Sequence, residues 1–319
     1  MNNINPELPS ALQAYLIALI YRNTRSSCSA LAALCPAVSH DSLNRCLHSD
    51  FPWPRRLWEL FASRMIRPGG YLVLDDTTWE RWAKHSEAVS WVWSSSDGHL
   101  IQGMQAVLLI WTDGKRKVPV SMRLWQKGGQ SKVELAKEML SEAAGRGFSP
   151  NYVLFDSWYT AKGIVNLIAE LGWKYVARIK SNRLLDGERL SGKWRQRYGQ
   201  ACGHLKQVDQ EVRVIKDGKR YFVTNDLELK PARIKRAYGY RQQIEETFRL
   251  LKQEFGWGGS SARKAKAQEA HLHLGLMGLC VTQQAALARG QTIYAFKREL
   301  FRLPIPNQLP FLEHFSVAA

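Results

Sequence analysis

The chain of 319 residues reads as an α/β protein: a mixed sheet with flanking helices, a strand-rich insert and a small N-terminal helical domain. Three observations lead there. Apolar residues recur at helical spacing up to about residue 66; short apolar runs ending in acids then alternate with helical segments; and a long polar, strand-rich stretch separates the last of these from two further helices. With 45% hydrophobic and 23% charged residues there is enough apolar material for one large core and an accessory unit.

The N-terminal segments PSALQAYLIALIYR, SALAALC, SHDSLNRCLHS and RRLWELFASRMI predict helices within a domain at 1–66. SALAALCPAVSHDSLNRCL is spaced as helix, short turn, helix, with Ser39 as N-cap of the second, Ala33 at the helix contact, and Leu43 and Leu47 facing inward. As a helix-turn-helix it would offer Asn44, Arg45 and His40 to a DNA groove; as two packed helices it would have no such role.

Pro68, Gly69 and Gly70 break the helical pattern and YLVLDD follows as a strand ending in acids. MQAVLLIWTDGKRKVPVSMRLW predicts two strands joined at Asp113-Gly114, SKVELAKEMLSEAAGRG a helix closed by glycine, NYVLFD a strand, AKGIVNLIAELGW a helix and KYVARIK a strand. Residues 184–226 look like an insert. A long helix is expected from about Pro231 to Phe255, then an apolar helix, AHLHLGLMGLCVTQQAALA, over the sheet, and a tail at 286–319; the catalytic unit would span 67–285.

Charge narrows the function. Forty-five Lys and Arg against 28 Asp and Glu leave a net +17, which favours polyanionic partners through counterion release. No run of about 18 apolar residues suggests a membrane span, and MNNINPELPS lacks the pattern of a secretory signal. The expectation is a cytoplasmic, nucleoid-associated protein. The five cysteines are scattered without a C-x-x-C pair, so neither a zinc site nor a disulfide framework is expected. His271 and His273, two apart on a helix, point to different faces and make a poor metal pair.

The acids carry the chemistry. Asp75, Asp76 and Asp156 follow apolar strands, and Glu245 lies on the late helix. Acids gathered at the ends of buried strands repel one another unless cations compensate them, and Mg2+ suits an all-oxygen donor set. Acids that merely end strands at the surface are the plainer alternative. At intervals of three, four and seven residues, Tyr238, Arg241, Glu245 and Lys252 would share one face of a continuous helix. Ordinary pairing of Arg241 with Glu245 would also account for part of that stripe. Glu246 points about 100° away from Glu245. Four tryptophans, Trp79, Trp82, Trp91 and Trp93, lie close to the first acids, as core residues or as rings able to stack on unpaired bases.

YGYRQQIEETFRLLK matches Y-x(2)-R-x(3)-E-x(6)-K, the motif of one large group of bacterial insertion-sequence DDE transposases. LDDTTW resembles the strand bearing that family's first aspartate, and LFDSWYT followed by ARIKSNR resembles the region of its second; the similarity runs through roughly residues 70–280. The resemblance implies a ribonuclease H-like domain that uses two divalent ions, Mg2+ or Mn2+, to cleave the ends of an element and join the freed 3′ hydroxyls to target DNA. It implies Asp156 as second acid, Glu245 as third, and Tyr238, Arg241 and Lys252 as the grip on terminal DNA. Both Asp75 and Asp76 satisfy the Asp-x-Thr pattern of the first acid; Asp75, directly after the apolar strand, is preferred. The implied partners are double-stranded DNA, as element ends and as target, and a second copy in a DNA-bridged homodimer. A DNA-binding protein that no longer cuts, and a nuclease without strand transfer, are the alternative readings.

Overall fold

The computed structural model describes residues 8–22, 27–83, 85–94 and 97–306. The last part of the expected tail and the first residues of the chain lie outside the described residues. The N-terminal helices are α1 (Ser10–Tyr21), α2 (Cys28–Leu34), α3 (His40–Leu47) and α4 (Trp53–Leu57), the last continuing through a π-helical turn, Trp58–Ala62, into α5 (Ser63–Met65). Ser39 caps α3 by accepting the Ser42 amide at 3.2 Å. Leu43 and Leu47 are buried, but Ala33 is exposed and Leu31 is the inward residue of α2. The expected contact at Ala33 is therefore two residues out of place, because α2 has fewer than two turns and its inward face is set by Leu31 packing on the neighbouring helices.

The sheet begins at β1 (Tyr71–Glu80), followed by β2 (Ser90–Ser94), β3 (His99–Thr112), β4 (Lys117–Trp125), α6 (Lys132–Gly145), β5 (Tyr152–Phe155), α7 (Lys162–Glu170) and β6 (Tyr175–Ile179). Gly70 has φ +73°, and a side chain there would meet the Trp111 ring at 2.6 Å, so the turn into β1 requires glycine. Strands β1, β3 and β4 are antiparallel, while β1, β5 and β6 are parallel. That is the mixed sheet of the ribonuclease H-like fold. A capping box of Ser131 and Glu134 starts α6. Strand β2, which pairs with the first half of β3, has no counterpart among the expected strands: its core, SWVWS, is too short and too aromatic to be told from a loop.

The segment at 184–226 is strand-rich, as expected, but most of it is not an insert standing apart. Only the small hairpin of β7 (Leu184–Leu185) and β8 (Glu188–Arg189), with α8 (Leu190–Lys193) after it, leaves the main sheet. Strands β9 (Tyr198–Gly203), β10 (Val212–Asp217) and β11 (Arg220–Thr224) extend that sheet, β11 pairing antiparallel with β6. The polar character that suggested an insert reflects strands near a sheet edge with one face solvated.

The single helix expected over Pro231–Phe255 is two: α9 (Pro231–Gly239) and α10 (Gln242–Glu254), broken at Tyr240 and Arg241. Helix α11 (Ala265–Ala288) is buried around nearly its whole circumference, between the sheet and α1, which its near-uniform apolar composition requires. It is no simple cover on the sheet. Within the expected tail, α12 (Ile293–Leu300) docks on α1 and α11. The buried Lys297 donates from Nζ to the carbonyls of Leu19 and Ile20 at 2.9 and 2.7 Å, satisfying the C-terminal end of α1.

His271 and His273 are fully buried within α11. His271 accepts the Tyr15 hydroxyl at Nδ1 and donates from Nε2 to the Gly256 carbonyl, at 3.0 and 2.9 Å. Burial pushes both imidazoles down to about 4 from 6.5. Because the unfolded chain binds these protons first, their neutral forms stabilise the fold above pH 6.5, and that stability is lost as pH falls from 6.5 towards 4. The cost is at most about 3 kcal/mol for each. Urea midpoints should fall steeply over that window, and His273→Leu should flatten the fall; an acid limb unchanged in that variant would remove His273 as a contributor.

Candidate active site

A cleft of about 880 Å³ opens at the end of β5 and the middle of β1, which runs on past the acids to Glu80 instead of ending at them as expected; it is lined by Asp75, Asp76, Asp156, Lys132, Arg241 and Lys252 among others. Adjacent residues of a strand point to opposite faces of its sheet, and this separates the two candidate first acids. Asp75 accepts from Arg241, at the start of α10, with Nη2 to Oδ2 at 2.6 Å. Asp76 accepts from Lys132, at the start of α6, at 2.7 Å, and from the Tyr159 hydroxyl at 2.9 Å. Both aspartates line the cleft, but Asp75 is bonded to the motif helix and Asp76 to α6 and the loop after β5.

Asp156 follows β5 and accepts the amides of Trp158 and Tyr159 on Oδ1, at 2.8 and 3.3 Å. This turn holds its carboxylate towards the cleft. Burial pushes Asp75 up to about 7; Arg241 opposes the shift, and the charges of Asp156 and Asp76 add to it. A buried carboxylate crowded by two others is an environment that a hard cation relieves, so the donor chemistry suits a divalent ion. Among the described residues no three acids, histidines or cysteines are grouped closely enough to hold one. Arg241 reaches Asp75 with one nitrogen and Glu245 with the other, the latter at 2.5 Å. Glu245, half exposed, faces the guanidinium and is not among the residues lining the cleft.

The four motif residues Tyr238, Arg241, Glu245 and Lys252 do not lie on one continuous helix, but Tyr240 and Arg241 keep helical backbone angles and Tyr238 stays near Arg241, Asp75 and Asp156. Arg241, Glu245 and Lys252 share α10, whereas Tyr238 ends α9 and packs edge-on against Phe222 of β11, 5.2 Å between ring centres. Burial pushes its hydroxyl up to about 12. Lys252 donates to the Thr78 carbonyl at 2.9 Å, fastening α10 to β1, and burial lowers its pKa. Glu246 pairs with Lys117 at 2.8 Å, away from the acids, as its angular position on the helix required. Asn44 and Arg45 are exposed on α3 and take no part in the cleft. Sequence reasoning missed Lys132 and Tyr159; a lysine opening a helix and a tyrosine three residues after an acid carry no signal until the tertiary fold joins them to Asp76.

The sheet is mixed and ribonuclease H-like, with aspartates in β1 and directly after the parallel strand β5. The chain matches the family described as DDE superfamily endonuclease over residues 5–220 and belongs to that family. The match stops before Glu245. No curated protein matches. Among solved structures the chain resembles piggyBac transposase, seen in a synaptic complex with hairpin DNA, at 14% identity and TM-score 0.57, covering 97% of this chain and 72% of that one. At that identity the likeness concerns the fold. The NurA nuclease of Sulfolobus solfataricus (10% identity, 77% of this chain and 94% of that one, TM-score 0.32) and the Drosophila P element transposase (12%, 98% and 78%, 0.26) are too dissimilar in shape to weigh. No helix among the described residues is long and apolar enough to cross a membrane.

Proposed function

We propose that this protein is a DNA transposase of the insertion-sequence group bearing Y-x(2)-R-x(3)-E-x(6)-K, cutting the ends of a mobile element and joining the 3′ hydroxyls to target DNA. One observation carries the reading: Arg241 of that motif bonds Asp75 and Glu245 together, so the motif helix is docked on the acid-bearing strand. Asp75, on the α10 side of β1, is the first acid, Asp156 the second and Glu245 the third. These three would hold divalent ions, Mg2+ or Mn2+, which when bound activate a water or 3′ hydroxyl and stabilise the leaving oxygen of a phosphodiester. Asp76 holds Lys132 and Tyr159 and is not a ligand in this reading.

Arg241, at the mouth of the site, grips a phosphate of the terminal DNA, a task its planar fork suits. Lys252 positions α10 and adds positive charge beside the scissile strand. Tyr238 braces α9 against the sheet and presents its edge to the same DNA. Asn44 and Arg45, on the exposed face of α3, contact the duplex farther from the cut, and two copies of the chain bridge two ends. The excess of 17 positive charges supplies the general attraction for DNA in the nucleoid.

The test is a plasmid carrying the sequences that flank the protein's own coding region, incubated with purified protein and Mg2+. Cleavage at those ends followed by joined products is the expected result. Cleavage without joining would reassign the chain as a nuclease, and binding without cleavage as a DNA-binding relative that no longer cuts.

A further inference from the structure

The acid cleft has a second character besides its charge. Trp91 and Trp93 of β2 are 56% and 58% exposed although both line it, and Trp158, beside Asp156, is 44% exposed. Val92 and Ser94, which alternate with them, are buried and also line the cleft, so β2 forms its rim and leaves both indoles open to solvent there. Leaving three of the largest apolar side chains in water is costly, and the same cleft carries Lys132, Lys180, Arg241 and Lys252. A ligand that suits both features is anionic along one side and flat and aromatic along the other.

We infer that Trp91 and Trp93, with Trp158, form a stacking platform for unpaired bases of a DNA end, so that the cleft receives single-stranded nucleotides rather than intact duplex. The inference rests on the DNA-processing reading above and adds the state of the substrate to it. In a duplex each base is covered by its neighbours and shows only its edges in the grooves, which leaves indole faces nothing to stack on. Unpaired bases expose their faces, and aromatic residues beside a basic track are the usual way to hold them. Same-face residues on a strand lie about 6.6 Å apart, roughly twice the 3.4 Å repeat of stacked nucleotides. One base therefore fits between Trp91 and Trp93. The third ring is coupled to the chemistry: the Trp158 amide donates to Asp156, and its indole lies under Lys132, 4.9 Å from ring centre to Nζ. Lys132 in turn bonds Asp76, so a base seated on Trp158 is registered against the acids.

The experiment compares three DNAs in EDTA: a blunt duplex, the same duplex with a short oligothymidylate tail, and the same duplex with an abasic tail of equal charge. The wild-type protein should bind the thymidylate tail about tenfold or more tightly than the abasic one. Trp91→Ala/Trp93→Ala should erase that preference while leaving blunt-duplex affinity within about twofold, and Trp91→Phe/Trp93→Phe should restore most of it. Equal wild-type affinity for the two tails, or an equal loss on all three DNAs in the alanine variant, would overturn the platform and leave the transposase reading intact. No binding to any of the three would overturn both. Both tryptophans are exposed, so the substitutions remove no core packing, and the phenylalanine variant separates loss of stacking from any change in the fold.

Discussion

Asp156→Asn and Glu245→Gln should each lower DNA cleavage by about a thousandfold, about 4 kcal/mol of transition-state stabilisation, while leaving DNA affinity within a few fold. Asparagine at 156 still offers an oxygen to the amides of Trp158 and Tyr159, so the turn after β5 persists and only the charge is lost. Glutamine at 245 keeps the length of the side chain and a neutral bond to Arg241. The control is Glu246→Gln, one residue on but paired with Lys117 away from the cleft, which should cut at nearly the wild-type rate. Single-turnover cleavage of an end-bearing duplex reads all three. Retained cutting in Glu245→Gln would strike that residue from the mechanism, and equal losses in Glu246→Gln would mean that α10 matters only as a scaffold.

Arg241→Ala tests a different property of the same helix. The guanidinium is the positive charge bonded to Asp75, whose carboxyl is already pushed up to about 7 by burial and by its acidic neighbours. Removing one partner of a largely buried pair costs about 3 kcal/mol when the other must stay charged. The loss should therefore be large at pH 8, where Asp75 is ionised, and small at pH 6, where it can take up a proton instead. Denaturant unfolding at the two pH values reads that difference. On DNA the same variant should flatten the dependence of affinity on salt by about one, the slope of a single lost phosphate contact. A destabilised variant with an unchanged salt slope would make Arg241 a structural clamp alone. Lysine at 241 should recover part of the salt slope but little of the stability, since an ammonium cannot match the fork that reaches Asp75 and Glu245 together.

Arg241 bonds two of the three expected acids, Asp75 and Glu245. Part of the motif expected to grip DNA lies between the first acid and the third. Its two bonds hold α10 against β1 at the place where Lys252 and the Thr78 carbonyl make a second fastening. The site is thus charge-balanced within the chain, by cations that would serve phosphates when DNA is present.

Much of this was legible in the order of residues. Apolar runs followed by acids at Asp75 and Asp156, the glycine break before β1, the glycine-closed helix SKVELAKEMLSEAAGRG and the net charge of +17 are local or compositional features, readable without knowing what lies across the fold. They fix a mixed α/β sheet, and they single out a short list of acids and a charge that suits a polyanion. Which acid bonds which element was decided by the tertiary structure: the pleat of β1 sends Asp75 to Arg241 and Asp76 to Lys132 and Tyr159, and those partners lie between 56 and 166 residues away in the chain. The break at Tyr240 and Arg241, the joining of β9, β10 and β11 to the main sheet, and the exposure of Trp91 and Trp93 are likewise tertiary outcomes. Each depends on packing between segments far apart in sequence, and such contacts leave no periodic trace in the segments themselves.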